Sequence, residues 1–301
     1  QIREQAAVLA LAARCRQTWH LLSHALEDAG TALSLAAGMR TGFEQPEFVD
    51  VLEPQVVQEE ELTELEAMIV TLAEQGVSLV TVLDNAYPSN LRLVYDRAPF
   101  LFVRGRLPPE GDRAIAVVGT RNASVDGLEQ AARLAHGLAA RGVTVLSGLA
   151  RGIDAAAHVA TLDAGGRTVA VVGHGIRART YPPEHAPLAE RIVSEGGAVI
   201  SQFLPDAPPR QDNFRLRNRT MSGLALGTVV VEASDNSGAR MQARIALQHG
   251  KRVFLHRRLV LHEAWARRSA EHPGATVVED AAEVLDVLDG LPRASAELTL
   301  S

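Results

Sequence analysis

Phe214, Arg215, Arg217, Asn218 and Arg219 fall in one short run, Phe214-Arg215-Leu216-Arg217-Asn218-Arg219. Guanidinium forks pair with phosphate oxygens, and an aromatic face stacks on an unpaired base. Three arginines at i, i+2 and i+4 need anionic partners or water. An apolar stretch, Gly227 to Glu232, follows directly. Planar cations and an aromatic ring at the edge of a buried sheet suit a strand whose bases are unstacked. A solvated basic helix start is the plain alternative.

Glycine-rich segments elsewhere supply a second half of the same chemistry. They are Val118-Gly119-Thr120-Arg121-Asn122, Leu146-Ser147-Gly148-Leu149-Ala150-Arg151-Gly152-Ile153-Asp154 and Val172-Gly173-His174-Gly175. Each follows an apolar run of four to six residues. Glycine lets backbone N–H groups approach phosphate closely, and helix starts favour anions. Thr120 and Ser147 offer hydroxyls, and Arg121 and Arg151 offer guanidinium groups. Several such loops on one sheet edge point to an anion site.

Other chemistries fit less well. Gly173-x-Gly175-x-x-Ala178 follows the third strand rather than the first, and Tyr181-Pro182-Pro183 interrupts the helix a dinucleotide fingerprint requires. No P-loop is present. The ten histidines show no metal-ligand spacing. Ser147, His158 and Asp154 could be written as a triad, but Asp154 and His158 are one helical turn apart and no nucleophile elbow accompanies them. Asp154 is better read as a brace for its glycine loop. No catalytic residue, metal or cofactor is expected.

The elements that must position these residues are legible from periodicity. Residues 1–76 read as short helices joined by glycine turns at Gly30, Gly38 and Gly42, either a SAM-like module or a plain helical bundle. Residues 77–111 read as a strand-rich extension, Val77–Val80 and Phe100–Val103, closed by a Leu107-Pro108-Pro109 linker. From residue 112 to 290, strands at 115–118, 143–146, 168–172, 198–200, 228–231 and 252–255 alternate with helices at 126–141, 153–163, 186–194, 215–226 and 239–249. Strand 276–278 and helix 281–288 follow, then a tail at 291–301. Apolar strands alternating with helices predict an α/β fold with a parallel sheet covered on both faces. Its ligands belong at the carboxyl ends of the strands, near a topological switch point.

Bulk composition is compatible with this. The 301 residues suffice for two domains, and the net charge is −6. The charge is unevenly spread: Gly42 to Val70 holds nine acidic residues and no basic one, while Asn213 to Arg258 holds nine basic and two acidic. Such asymmetry hints at a polyanion site in one region. One cysteine, Cys15, excludes an intrachain disulfide. No run of 18 or more apolar residues and no signal-peptide pattern is found, so a cytoplasmic location without membrane contact is expected. The first residue is Gln1, not Met, and a trimmed end is expected.

Taken in order, these pieces resemble the DNA-processing protein A family, DprA (also called Smf). The residues that carry the resemblance are Tyr87-Pro88 with Leu91, Pro99 to Gly105, Val118-Gly119-Thr120-Arg121, Ser147-Gly148-Leu149-Ala150-Arg151-Gly152-Ile153-Asp154-x-x-x-His158, Gly166 to Val172, Tyr181-Pro182, Ser201, Phe214-x-x-Arg217-Asn218-Arg219, Val231-Glu232-Ala233 and Ser237-Gly238. The resemblance implies an extended Rossmann-like domain, preceded by a small helical SAM-like domain. It also implies a non-enzymatic role: binding single-stranded DNA, forming a homodimer, and loading the RecA recombinase in natural transformation and recombination. Within residues 1–301 no segment resembles the C-terminal winged-helix-like domain of some members. Departures are Thr120 for a usual Ser, Gln202 for a usual Glu, Gly238 to Ala243 for Ser-Leu-x-Thr-Ala, and His256 to Gly274, which lacks the family's Pro-Gly pattern.

The residues expected to hold single-stranded DNA are Gly119, Thr120, Arg121, Ser147, Gly148, Arg151, Phe214, Arg217, Asn218 and Arg219. Arg219 is the alternative candidate for bracing a strand end. Leu259, Leu261 and Trp265 are expected at the dimer interface, or else as a helix packed on its own sheet. The rival reading is a nucleoside monophosphate hydrolase of the lysine-decarboxylase-like group, whose Pro-Gly-Gly-x-Gly-Thr loop is absent here. A third reading makes the acidic N-terminal module a protein-docking piece.

Overall fold

The computed structural model describes residues 1–15, 18–38, 56–107 and 113–290. Among them one sheet contains β1 (Val77–Thr81), β2 (Phe100–Gly105), β3 (Ala114–Val118), β4 (Thr144–Ser147), β5 (Thr168–Val171), β6 (Ala198–Ser201), β7 (Gly227–Val230), β8 (Arg252–His256) and β9 (Ala275–Val278). Their order is β1-β2-β6-β5-β4-β3-β7-β8-β9. Strands β3 to β9 pair in parallel. Strand β2 joins β6 antiparallel, and β1 joins β2 antiparallel. The sheet is therefore mixed rather than purely parallel. Residues 77–105, expected as an extension, form its edge. The order reverses between β3 and β7, which makes the crevice above those two strands the switch point.

Thirteen α-helices occur among the described residues, with a short 3-10 helix at Pro183–His185. Those N-terminal to β3 are α1 (Ile2–Arg14), α2 (Trp19–Ala29), α3 (Ala32–Ala36), α4 (Glu59–Glu74) and α5 (Ser89–Arg92). Those after it are α6 (Val125–Ala139), α7 (Ile153–Asp163), α8 (Ala186–Ser194), α9 (Gln211–Leu224), α10 (Gly238–Gln248), α11 (Arg257–His262), α12 (Ala264–Ala270) and α13 (Ala281–Asp289). The period-2 alternation of the strands sets which face each residue serves. Ile115 and Val117 join Leu134 and Leu138 of α6 and Val284 and Leu285 of α13 in one core. Ala116 and Val118 face the other way, into a core shared with Met221, Ala239 and Ala243. Side chains cap the helices on the site side: Ser124 Oγ accepts from Gly127 N and Ser237 Oγ from Arg240 N.

The N-terminal helices share a core with the sheet. Trp19 packs edge-on against Phe100 at 5.5 Å and leans on Phe203 at 6.1 Å. Gln5 Nε2 donates to Leu79 O at 2.9 Å, so α1 is stitched to β1. The acidic helix α4 is partly neutralised from within: Arg3 pairs with Glu59 and Glu66, and Arg14 with Glu61. The boundary expected at residue 76 is thus no break in the hydrophobic core. The turn at Gly42, the Pro108-Pro109 linker and the 291–301 tail lie outside the described residues.

One expectation is overturned by burial. Trp265 is 2% exposed and Leu259 4%, both inside the chain's own core. Trp265 Nε1 donates to Ala233 O at 3.1 Å, and the Arg240 guanidinium lies 5.8 Å from the ring centroid. An indole with its N–H satisfied internally is a packing residue, not an interface anchor. Leu261, 66% exposed, is the one residue of that trio presented to solvent. Accordingly, Trp265→Ala is expected to lower unfolding free energy by about 3–5 kcal/mol, whereas Leu261→Ala stays within about 0.5 kcal/mol. Denaturant unfolding of the two variants checks this, and similar midpoints would refute it.

Candidate functional site

The loops after β3, β4 and β5 and the start of α9 meet at one edge of the sheet. Helix α9 begins at Gln211, a turn earlier than periodicity suggests, so Phe214 is helical rather than a loop residue. Helical spacing then places Phe214, Arg217, Asn218 and Met221 at i, i+3, i+4 and i+7, one continuous stripe. That stripe, with Gln211 and Arg215, forms one wall of a groove of 640 Å³. Gly119, Thr120, Arg121 and Asn122 form the opposite rim, and Asn236 to Gln242 the far end.

Arg217 is the keystone of this edge. It is buried; its Nη1 donates to Val171 O at 2.7 Å and its Nε to Asn218 Oδ1 at 3.1 Å. Gly148 is required beneath it, because any Cβ there would collide with the guanidinium. Asn218 Nδ2 in turn donates to Gly238 O at 3.4 Å. Arg217 is therefore a brace between strand β5, the second glycine loop and α9, with one side on the groove. The bracing role expected of Arg219 belongs chiefly to Arg217.

Asp154 balances that cation. Its Oδ2 accepts from Gly148 N at 3.1 Å and Ala150 N at 3.4 Å, the loop brace expected from sequence. Burial pushes its carboxyl up, opposed by Arg217 and by the Ala150 and Gly148 N–H groups. Burial likewise lowers Arg217, opposed by Asp154. The same loop holds Leu149 at φ 58°, a left-handed conformation that a buried leucine adopts only when its surroundings impose it.

Phe214 is half-buried against three partners. Its ring lies over Gly173, where a Cβ would not fit, 5.9 Å from the Tyr181 ring. The exposed Arg121 guanidinium sits 5.5 Å from the Phe214 centroid, a cation–π pair. Arg121, Gly148, Arg151, Tyr181, Phe214 and Arg217 thus surround one small depression beside the groove. Arg151 also pairs with Glu184 at the surface. A solvent-exposed pair of this kind contributes little and leaves the guanidinium exchangeable.

Two expected site residues, Ser147 and Arg219, are placed differently. Ser147 is buried and donates its hydroxyl to Val117 O at 2.6 Å, so it is not available to a groove ligand. Gly119 stays on the rim, where a Cβ would strike Ile153. Arg219 lies on the other side of α9, 45% exposed, with Nε 3.2 Å from Asp96 Oδ2. There His249 bridges Asp96 Oδ1 at 2.7 Å and Ser222 Oγ at 3.0 Å. This Ser–His–Asp line is 1% exposed at Ser222, out of reach of a substrate carbonyl. His158 is likewise a core residue: Thr168 Oγ1 donates to Val145 O and accepts from His158 Nδ1 at 2.7 Å. Burial lowers the His158 pKa to about 3.

At the switch point the chain caps its own helix start, beside a cavity of 380 Å³ lined by Thr120, Ser124, Gly127 and Glu232. The Glu232 carboxylate caps the start of α6, accepting from Ser124 Oγ at 2.7 Å and Ser124 N at 3.2 Å. Gly127 leaves space for it, and Thr120 N donates to Glu232 O at 2.7 Å. A dinucleotide fold would put pyrophosphate at this helix start; here the chain supplies the anion. Sequence reasoning quoted Glu232 without seeing this role. It named Arg215 in the basic run but left it off the strand-holding set, and it missed Gln242 in the groove and Tyr181 against Phe214.

Removing the brace should expose the charge balance. Arg217→Leu leaves Asp154 buried without its cation, an expected loss of roughly 3–5 kcal/mol at neutral pH. The folded pKa of Asp154 is raised, so the folded chain protonates first on acidification. Stability tied to that protonation is present at low pH and is lost as pH rises through the folded value. The variant's deficit should therefore shrink as pH falls. Unfolding curves over a pH series measure it, and a pH-independent deficit would exclude the coupling.

Comparison with known proteins places the chain. A family model described as DNA recombination-mediator protein A matches residues 78–289. Protein Smf of Escherichia coli (strain K12) is 40% identical over 190 residues, covering 63% of this chain and 50% of that protein. The DNA processing protein DprA of Bacillus subtilis (strain 168) is 34% identical over 192 residues, 63% of this chain and 64% of that protein. The chain thus aligns with about half to two thirds of the length of these relatives. The X-ray structure of DprA from Streptococcus pneumoniae superposes with TM-score 0.72 at 27% identity, over 95% of this chain and 97% of that one. DNA processing protein A from Helicobacter pylori, a structure described for its single-stranded DNA binding mode, superposes with TM-score 0.61 at 21% identity. It covers 70% of this chain and 95% of that one, and shares the fold. With most of its sheet inside the matched span, the chain belongs to the DNA recombination-mediator protein A family.

Proposed function

We propose that this protein binds single-stranded DNA in the groove between Arg121 and α9, and acts by binding rather than by turnover. The observation that carries the reading is Phe214 with Arg121 over its ring, set beside a groove edged by Arg121, Arg215 and Arg217. A half-buried aromatic held by glycine and tyrosine is a rigid stacking platform. Arg121 is exchangeable: a base that takes the ring face frees the guanidinium for the adjoining phosphate. Thr120 and Asn122 line the same rim and can donate to the backbone of a strand. Duplex bases are not available to such a ring, so single strands are favoured. The nucleotide-hydrolase reading is disfavoured because its Pro-Gly-Gly-x-Gly-Thr loop is absent from the sequence.

Family membership extends the reading to delivery of the strand to the RecA recombinase, to natural transformation and recombination, and to a cytoplasmic setting. Among the described residues no helix is long and apolar enough to cross a membrane, and no group of His, Cys, Asp and Glu is arranged to hold a metal. A homodimer through the α11 region would hold two stretches of one strand and raise the effective concentration of the second contact.

Phe214→Ala is expected to weaken oligo-dT binding by roughly 1–3 kcal/mol. Arg121→Ala should lower the slope of log affinity against log salt by about 0.7, the share of one phosphate contact on a single strand. Fluorescence anisotropy over a salt series measures both. Duplex affinity equal to that for oligo-dT, or an unchanged slope, would count against the reading.

The dimer is tested separately. Leu261→Arg places a charge at the exposed apolar position of α11 and should shift the protein to monomer in light scattering at micromolar concentration. A wild-type monomer under the same conditions removes the dimer, and a dimer that survives the substitution moves its interface elsewhere.

A further inference from the structure

The cavity of 380 Å³ at the switch point is a second space, which the strand groove leaves unused. It lies between the start of α6, the end of β7 and helix α11, and its volume is in the range of small-molecule sites. Its floor is apolar, built from the buried Val231, Ala233 and Leu259. Thr120, Asn122 and Ser234 line both this cavity and the groove. A strand that leaves the groove over these residues meets the cavity next.

Its charge is opposite to that of the groove. Asp126, Glu232 and Glu263 line it, with Arg258 as the one guanidinium. Arg258 is committed, its Nη2 lying 2.6 Å from Asp126 Oδ2, and the Glu232 carboxylate is held by Ser124. Glu263 is not committed. It stands half-buried ahead of α12 without capping it, and its carboxylate has no hydrogen-bond or ion-pair partner among the described residues. The half-buried Gln130 amide on α6 is likewise free among them. A phosphate in this cavity would meet like charge, which costs affinity. A hydroxyl is the matching group, since it can donate to a carboxylate and accept from an amide N–H at once. Resting on the strand-binding reading above, we propose that the cavity receives the terminal nucleoside of a bound strand when that end carries a free hydroxyl. The same carboxylates exclude internal nucleotides, which have phosphate on both sides and stay in the groove. Glu263 is the residue that separates a hydroxyl end from a phosphorylated one.

Anisotropy with oligo-dT labelled at an internal base tests this, using strands with two hydroxyl ends, a 3′-phosphate or a 5′-phosphate. Phosphate at one of the two ends should weaken wild-type binding about tenfold, the effect of losing one hydrogen bond to a charged group. Which end responds gives the polarity of the strand in the groove. A circle of the same length has no end and should bind as weakly as the phosphorylated strand. In Glu263→Gln the ratio of hydroxyl-ended to phosphate-ended affinity should fall to about one, whatever the absolute affinity. No phosphate penalty at either end in wild type, a circle as tight as the hydroxyl-ended strand, or a penalty kept by Glu263→Gln each overturns the end site while leaving strand binding standing. Absence of any oligo-dT binding by the wild-type protein overturns both.

Discussion

Much of this molecule depends on one buried guanidinium. Arg217 joins the end of β5, the loop after β4 and the stripe of α9, and it requires Gly148 beneath it and Asp154 nearby. Desolvating a cation without a counter-charge is prohibitive in a protein interior. The loop from Ser147 to Asp154 therefore has little freedom: it must supply a carboxylate, two N–H groups to hold that carboxylate, and a residue with no side chain. The left-handed Leu149 is where that loop meets these demands in its backbone. Rigid placement of Phe214 three residues before Arg217 follows from the same constraint, because one helix carries both.

The α/β class, the alternation of strands and the carboxyl-end location of the site were legible from periodicity and glycine punctuation. The edge strands were legible as strands but not as members of the main sheet. Antiparallel partners such as Phe102 and Ser201 lie about a hundred residues apart, and no local pattern encodes that pairing. At the site, glycines and arginines were found, but their work was partly misassigned. Arg217 and Arg219 differ by two positions, which on a helix means nearly opposite directions. The expected helix 215–226 already contained both, and that rotation was not applied when both were assigned to the strand. For Phe214 the missing datum was the helix start at Gln211, which carries no side-chain cap.

Trp265 shows a different limit. An indole among arginines and histidines has the composition of an interface, and composition is blind to which side of a helix faces in. Its N–H to Ala233 O and the Arg240 guanidinium over its ring make the same residues an interior contact. The acidic N-terminal stretch behaves similarly: part of its charge is spent on Arg3 and Arg14 of α1. Charge patterning located the basic groove better than it described the acidic helix.

Glu232 at the start of α6 carries a consequence for competition. A cell holds many small phosphorylated metabolites, and an open helix start at a switch point would attract them individually. Here that strong point is already filled by a tethered carboxylate at very high local concentration. The basic groups lie instead along a line of separate contacts, from Arg151 past Arg121 and Phe214 to Arg215. A monomer can engage only a fraction of that line, whereas a polymer can engage all of it at once. Selectivity for chain over monomer can thus arise from closing one site, without any contact that recognises length.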